Sequence, residues 1–184
     1  EKAIALTFDD GPYAEQTEKI LTLLEEQEVS ASFFFTGFQI DRFPELARKA
    51  AAGGHDIGCH SYSHRNLRLA GPRILREEFQ RFEASLERAG LQNTRLFRPP
   101  HGAKSPLLEV YLKRRGYRLV HWNLSAKDWK SEPVEKMLQR LLLYTRPGAI
   151  VLLHDTPNTV ALLPRYIEAL KENGYRFRKI SEFV

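Results

Sequence analysis

Residues 3–12 read Ala-Ile-Ala-Leu-Thr-Phe-Asp-Asp-Gly-Pro. The first six residues form a short apolar run typical of a strand, and two carboxylates follow it directly. An amphipathic run comes next, in which apolar side chains recur with near-helical spacing at Ile20, Leu21, Leu23 and Leu24. The opening unit is therefore a buried strand that ends in acidic residues and leads into a helix.

This strand-and-helix unit repeats along the chain. We predict further strands at 31–35, 55–58, 95–97, 117–124, 149–153 and 175–180. We predict the later helices at 44–52, 72–89, 106–115, from Pro133 onward and at 162–172, several of them begun by proline or ended by glycine. Strands that alternate with helices indicate a parallel sheet, and all-apolar strands indicate burial on both faces. An open doubly wound sheet and a closed barrel both satisfy this pattern.

Reactive side chains recur at one position in these units. The Asp9-Asp10 pair, His60, Arg98, Asp128 and His154 each lie at or just beyond the C-terminal end of a different predicted strand. Parallel α/β folds build their sites at that end, and a closed barrel gathers several strand ends around one mouth more readily than an open sheet. Because a full barrel takes about 250 residues, we predict an α/β fold of the TIM-barrel type for this chain. It should be a distorted or incomplete (β/α) barrel of about seven to eight parallel strands.

Composition narrows the class of protein. With 184 residues, 42% of them hydrophobic, the chain can form one core, so we expect one domain over residues 1–184. No apolar run is long enough for a transmembrane segment. The sequence begins without a basic and apolar leader, as expected for a mature or trimmed form of a protein. Cys59 is the only cysteine, which excludes a disulfide-stapled miniprotein. The net charge is +5, but the lysines and arginines are scattered along the chain beside acidic residues. This pattern is typical of solvated helix faces rather than of a nucleic-acid binding surface.

Two histidines are spaced for metal binding. His60 and His64 lie four residues apart, and on one helical turn their imidazoles would converge on one side, although a pair of surface histidines is the alternative. A catalytic zinc takes a third protein ligand, and a carboxylate from another strand end, Asp9 or Asp10, is suited to that role. The neighbouring carboxylate points elsewhere and is available as a base. A plain turn is the alternative for the Asp-Asp-Gly-Pro sequence.

The other strand ends carry groups suited to orientation and proton transfer. Arg98 lies in a rigid, proline-rich loop at 97–102, where it can orient a carboxylate through charge-assisted hydrogen bonds or simply be an exposed turn residue. Asp128 precedes Trp129, whose flat ring suits sugar stacking but equally suits a core. His154 emerges from an apolar strand, and near a carboxylate such as Asp128 it can act as an acid near neutral pH.

Read together, these segments resemble a known family. The five ordered motifs of the polysaccharide deacetylases, the NodB-like domain of carbohydrate esterase family four, resemble five segments here: Thr7-Phe-Asp-Asp10, His60-Ser-Tyr-Ser-His64, Arg98-Pro-Pro-His-Gly102, Asp128-Trp129 and Leu152-Leu-His154. Their order and spacing span nearly the whole chain. The resemblance implies a distorted barrel that binds zinc or a similar divalent ion, with substrates among chitin oligomers, peptidoglycan and acetylated xylan.

The resemblance also implies roles for the matching residues. The implied metal ligands are Asp10, His60 and His64. Asp9 would be the general base and His154 the general acid. Arg98 would hold Asp9 in place, and Asp128 would tune His154.

The pocket around the acetyl group follows from the same resemblance. Trp129 and Leu152 would form its walls, and the backbone amide of His101 would help to hold the oxyanion. The family usually has tyrosine at the position of His101, so ring contacts to the sugar can differ here. Cys59 also replaces the asparagine that is frequent beside the first histidine.

We therefore expect a metal-dependent hydrolase that removes acetyl groups from an N-acetylated polysaccharide such as peptidoglycan, chitin or N-acetylglucosamine oligomers. Zinc is the expected ion, with cobalt, nickel and manganese as alternatives. An O-acetyl esterase acting on xylan and a glycan-binding module without turnover are the rival functions. The resemblance alone implies an extracellular or cell-envelope location and a polysaccharide partner.

Overall fold

The computed structural model describes residues 2–183, so the two ends of the predicted 1–184 domain, Glu1 and Val184, lie outside the described residues. The strands are β1 (Ala3–Asp9), β2 (Ser32–Phe35), β3 (Asp56–Cys59), β4 (Leu96–Phe97), β5 (Arg118–Leu119), β6 (Leu124–Ser125), β7 (Ala149–His154) and β8 (Arg176–Phe177). The helices are α1 (Gln16–Glu26), α2 (Gly37–Arg42), α3 (Pro44–Ala52), α4 (Pro72–Ala89), α5 (Pro106–Arg114), α6 (Val134–Tyr144), α7 (Pro157–Glu172) and α8 (Ile180–Phe183). None of the helices within 2–183 is long and apolar enough to cross a membrane.

The strands form one parallel sheet that curls into an incomplete barrel. Their order is β5-β4-β3-β2-β1-β7-β6, and β8 pairs with the first residues of β1. Residues 120–123 join β5, at one end of this order, to β6, at the other end. Because so short a segment spans little distance, the two ends of the sheet lie near each other. The predicted distorted barrel is confirmed.

Alternate residues of β1 face the inside of this barrel. Ala5 packs in a small apolar cluster that includes Phe34. Thr7 and Asp9 follow on the same face, since side chains two residues apart in a strand point the same way, and both contact the Arg98 side chain. The interior therefore changes from apolar to polar toward the C-terminal ends of the strands, where Asp9 ends β1.

The other face of β1 carries the main core. Ile4, Leu6 and Phe8 are fully buried and pack against the surrounding helices in the larger of the two apolar clusters. This burial on both faces is the reason that β1 reads as an almost continuous apolar run rather than as an alternating one.

The strand predicted at 117–124 is wrong in one respect, because it is two strands. Arg118 and Leu119 pair with β4, whereas Leu124 and Ser125 pair with β7. The segment between them crosses the open side of the barrel, so it has no strand to pair with. Its apolar residues are explained by burial instead, since Val120 is 4% exposed and packs in the interior cluster.

Other boundaries moved for local reasons. The strand predicted at 175–180 shrinks to β8, and Ile180 begins the short helix α8. Helix α2 was missed because six residues are too few to show helical periodicity. Helix α7 begins at Pro157 rather than at 162, with Thr156 as a side-chain cap that accepts from the Thr159 amide.

Candidate active site

The structure brings the predicted rim residues together at one mouth of the barrel. Asp9 and His154 end β1 and β7, and Arg98 directly follows β4. A cavity of about 770 Å³ opens between them, and Asp9, Asp10, His60, His64 and His154 contribute to its lining. Carboxylates and imidazoles from distant parts of the sequence therefore face one common space.

His60, His64 and Asp10 form the tightest polar cluster at this mouth. Asp10 Oδ1 lies 3.2 Å from His60 Nε2 and 3.0 Å from His64 Nε2. The two histidines lie in a loop after β3 and not on a helical turn, which was the arrangement considered from their spacing. Left-handed conformations at Ser61 (φ 64°) and His64 (φ 59°) turn the two rings toward each other in place of a helix.

The donor set of this cluster fits a divalent metal ion. His60 Nδ1 lies 2.7 Å from the carbonyl oxygen of Arg98, and a carbonyl can only accept, so the ring proton is on Nδ1 and the lone pair of Nε2 faces Asp10. Asp10 Oδ1 is buried and has no hydrogen-bond partner within the described residues. The three ligand atoms lie within 4.8 Å of one another. A cation coordinated there would satisfy all three lone pairs.

Asp10 is poised as an anion. In the metal-free chain, burial acts to raise the pKa of its carboxyl group, but the protonated forms of the two histidines, which donate to the carboxylate and attract it, outweigh burial and hold the pKa well below its usual range. The residue itself adopts a left-handed conformation, with φ of 78°. That backbone turn directs the side chain away from the strand direction followed by Asp9.

Asp9 is held by Arg98 inside the barrel. Arg98 Nη1 donates to Asp9 Oδ1 at 2.8 Å and to Thr7 Oγ1 at 2.7 Å. Arg98 is fully buried, and Asp9 is 2% exposed. The second carboxylate oxygen, Asp9 Oδ2, lies 3.9 Å from His60 Nε2 and so reaches the edge of the ligand cluster. The arginine orients one oxygen and leaves the other toward the cavity.

On the opposite side of the cavity, His154 is paired with Asp128. The two groups meet at 2.9 Å between His154 Nδ1 and Asp128 Oδ1, and the Thr159 hydroxyl donates to Asp128 Oδ2 at 2.6 Å. Burial acts to lower the pKa of His154, but the hydrogen bond to Asp128 and the attraction of nearby carboxylates outweigh burial and raise the pKa above its ordinary value of 6.5. The ring therefore carries a proton more readily than a free imidazole.

The walls of the cavity include the residues predicted for it. Leu152 is 3% exposed, and the Trp129 ring, 55% exposed, meets the His154 ring edge-on at 5.1 Å between ring centroids. His101 is exposed, adopts φ of 58°, and places its ring 4.8 Å from that of His64. Its backbone amide donates no hydrogen bond within residues 2–183.

Trp122 and Asp155 are among the lining residues that the sequence interpretation missed. Trp122 lies in the segment that crosses the open side, and a Cβ at Gly102 would come within 2.9 Å of its ring. Asp155 is buried beside His154, accepts a hydrogen bond from the Thr17 hydroxyl, and leaves Oδ1 unpartnered among the described residues. Burial raises the pKa of Asp155 to about 7. The sequence did carry a signal for Asp155, because this carboxylate directly follows His154 at the end of a strand.

Comparison with known proteins assigns the chain to a family. A family model described as polysaccharide deacetylase matches residues 1–120. The peptidoglycan-N-acetylglucosamine deacetylase of Bacillus cereus is 34% identical over 190 residues, which cover 100% of this chain and 89% of that protein. The chain belongs to the polysaccharide deacetylase family. The predicted family membership is confirmed.

Relatives of this chain differ in the activity that their names describe. A chitooligosaccharide deacetylase of Azorhizobium caulinodans is 32% identical over 196 residues, covering 98% of this chain and 93% of that protein. The crystal structure of a CE4 family pseudoenzyme from Bacillus anthracis superimposes with a TM-score of 0.94 at 30% identity, covering 100% of this chain and 65% of that one. The polysaccharide deacetylase fold is therefore shared by proteins described as enzymes and by a protein described as a pseudoenzyme, and the site residues decide between the two.

Proposed function

We propose that residues 1–184 form a catalytic domain that hydrolyses acetyl groups from an N-acetylated polysaccharide with the help of a divalent metal ion. One geometric relationship carries the proposal: a ligand cluster of Asp10, His60 and His64 faces His154, whose pKa is raised above its ordinary value, across one cavity. Metal ligands and an acid on opposite sides of a cavity suit metal-assisted hydrolysis of an amide.

Zinc is the proposed ion, with cobalt, nickel and manganese as alternatives. Two imidazoles and one carboxylate are a common ligand set of catalytic zinc, which keeps a further position open. When bound there, the ion supplies Lewis-acid chemistry, since it polarises a carbonyl and lowers the pKa of water. The remaining steps fall to side chains of this chain.

Asp9 is the proposed general base. Arg98 fixes its Oδ1 at 2.8 Å, and Oδ2 lies 3.9 Å from His60 Nε2, beside the ligand cluster. From there Asp9 can take the proton of a water molecule that attacks the acetyl carbon. The His101 amide, which no acceptor within residues 2–183 uses, is the proposed donor to the oxyanion.

His154 is the proposed general acid. Its Nε2 lies 4.0 Å from Asp10 Oδ2 and so points toward the space where the acetyl group would be held. A proton on Nε2 would pass to the departing sugar nitrogen, because an unprotonated amine is a poor leaving group. Asp128 keeps that proton available by raising the pKa of the imidazole.

The proposed substrate is a polymer of N-acetylated amino sugars, either peptidoglycan or chitin oligomers. The named activities of the relatives support this class. Trp129 and Leu152 would form the walls around the acetyl group, and the exposed Trp129 ring offers a face for a sugar ring. Action on such polymers favours an extracellular or cell-envelope location.

A direct comparison of substrates tests the linkage. We expect acetate release from N-acetylglucosamine oligomers to exceed release from O-acetylated xylan by at least about tenfold in kcat/KM, or roughly 1.4 kcal/mol. The opposite order would make the protein an O-acetyl esterase. Glycan binding without acetate release from either polymer would make it a binding module, like a family member without turnover.

A further inference from the structure

Glu78 is a buried carboxylate that the proposed chemistry does not use. It is 3% exposed and lies on the apolar face of α4, between Leu75 and Phe79. A carboxylate in such a position is stable only when its oxygens are hydrogen-bonded. The location of its partners therefore indicates what the residue is for.

Within residues 2–183, every hydrogen bond of the Glu78 side chain goes to the segment between the two ligand histidines. Glu78 Oε2 accepts from the Tyr62 and Ser63 amides, each at 2.9 Å. Glu78 Oε1 accepts from the Ser63 hydroxyl at 2.7 Å. Tyr62 and Ser63 lie between His60 and His64, so one side chain of α4 holds the backbone that joins the two imidazoles.

Helix α2 holds the same segment from the other side. The Gly37 and Phe38 amides donate to the carbonyl oxygens of Ser61 and Tyr62, both at 3.0 Å. A Cβ at Gly37 would lie 2.6 Å from the Tyr62 ring, so the contact requires glycine there. In this loop α2 therefore satisfies the carbonyls of Ser61 and Tyr62, and Glu78 satisfies the amides of Tyr62 and Ser63.

The loop needs this support because its conformation is unfavourable. Ser61 and His64 both adopt left-handed backbone angles, which residues with a Cβ keep only where the surrounding structure fixes them. His60 has an anchor of its own in the Arg98 carbonyl. The anchors of His64 are the Ser61 side chain, which accepts from its amide at 3.0 Å, and the segment that Glu78 holds.

We propose that Glu78 is a positioning residue that fixes the 61–64 loop so that the Nε2 atoms of both histidines meet at Asp10. The identity of that cluster as a metal site rests on the proposed function. Hydrogen-bond partners behind metal ligands typically change metal affinity by about 10- to 100-fold. Glu78 acts one step further out, through the backbone, and its removal should weaken His64 as a ligand most of all.

The chemistry of the three contacts calls for a carboxylate. All three partners of Glu78 are donors, and a carboxylate offers two accepting oxygens. In Glu78→Gln the amide oxygen can still accept from the two backbone amides while the NH2 group donates to the Ser63 hydroxyl, so the charge-assisted hydrogen bonds are replaced by weaker neutral ones. The substitution keeps the shape of the side chain and weakens its hold on the loop, so it separates positioning from packing.

Zinc titration of the metal-free protein tests the proposal. The dissociation constant is measured by chelator competition for the parent, Glu78→Gln, Ser63→Ala and the control Glu87→Gln, which changes an exposed residue of the same helix. We expect zinc affinity to fall by a few-fold to about 10-fold in Glu78→Gln and by a few-fold in Ser63→Ala. Glu87→Gln should match the parent. The melting temperature of each variant is recorded without metal.

A purely structural role would lower the melting temperature of Glu78→Gln and leave the zinc affinity of the folded protein unchanged, and that result overturns the proposal. If Glu78→Gln does not fold, Ser63→Ala decides, since it removes one contact and keeps the backbone bonds. Unchanged zinc affinity in Ser63→Ala then overturns the proposal, and a few-fold loss supports it. A parent protein that binds no zinc would instead contradict the proposed function.

Discussion

Asp128 binds His154 at two points. Its Oδ1 lies 2.9 Å from the ring nitrogen Nδ1, and its Oδ2 accepts from the His154 backbone amide at 2.6 Å. Because Nδ1 is engaged, Nε2 is the nitrogen left to face the cavity, 4.0 Å from Asp10 Oδ2. One carboxylate therefore sets both the orientation of the imidazole and its readiness to hold a proton.

Replacement of Asp128 should shift the pH profile. The hydrogen bond to Asp128 is the main influence that raises the pKa of His154 against the effect of burial, so Asp128→Asn should lower that pKa. An acid is lost as pH rises through its pKa, and the alkaline limb of the kcat profile should therefore move to lower pH. The measurement is kcat against pH with zinc saturating. An unmoved alkaline limb would show that His154 is not the acid.

Two histidine variants should have complementary effects. His154→Ala should lower deacetylation by about 100- to 10,000-fold, the usual range for loss of an acid or base, and should keep its zinc. His60→Ala removes a proposed ligand and should bind little zinc. Activity and metal content are measured on the same purified samples. Zinc loss in His154→Ala, or full zinc in His60→Ala, would contradict the assigned roles.

The buried ion pair of Arg98 and Asp9 should dominate local stability. Arg98→Met keeps much of the side-chain volume but leaves Asp9 as an unpaired buried charge, which typically costs about 3 to 5 kcal/mol. Arg95→Met is the matched control, because its pair with Glu83 lies near the surface and should contribute about 1 kcal/mol or less. Urea unfolding of the metal-free proteins measures both. Equal losses of unfolding free energy in Arg98→Met and Arg95→Met would show that the buried ion pair contributes no more to stability than the surface pair.

Asp155 should make stability depend on pH. Its pKa is about 7 in the folded chain because of burial, against an ordinary value of 3.8. Between these values the folded chain holds a proton that the unfolded chain releases, so this contribution to stability is full at low pH and is lost as pH rises through about 7. Asp155→Asn cannot titrate. As the pH rises from 4 to 8, the free energy of unfolding of Asp155→Asn should increase relative to that of the parent by up to about 4 kcal/mol.

The check is the free energy of unfolding of metal-free parent and Asp155→Asn at several pH values. Groups distant from Asp155 titrate alike in the two proteins, so the difference between the curves reports Asp155 together with its charged neighbours His154, Asp9 and Asp10. Parallel curves would mean that Asp155 is ionised in the folded chain despite its burial.

The parts of the fold that follow from local rules could be predicted from the sequence. Helices α3 and α4 begin at prolines and end before glycines, and their bounds were predicted to the residue. The rim of the barrel followed from another simple rule, because each reactive residue lies at or just beyond the end of a predicted strand. Asp9 at the end of β1 and His154 at the end of β7 are the clearest cases.

The parts that depend on tertiary contacts could not be predicted. Whether residues 117–124 pair with one neighbour or two depends on where the barrel opens. The loop between His60 and His64 is shaped by hydrogen bonds from α2 and α4, which no local pattern contains. Glu78 did leave a signal, since it is a carboxylate on the apolar face of its helix. That signal indicates a buried partner without saying which one.

The most direct test of metal-dependent deacetylation is acetate release from N-acetylglucosamine oligomers by the purified protein. Release is measured as purified, after removal of metal by a chelator, and again after zinc is restored, with acetylated xylan in parallel. We predict release that disappears with the metal and returns with zinc. Release that persists after complete removal of metal, or no release from any polymer with zinc bound, would contradict this account.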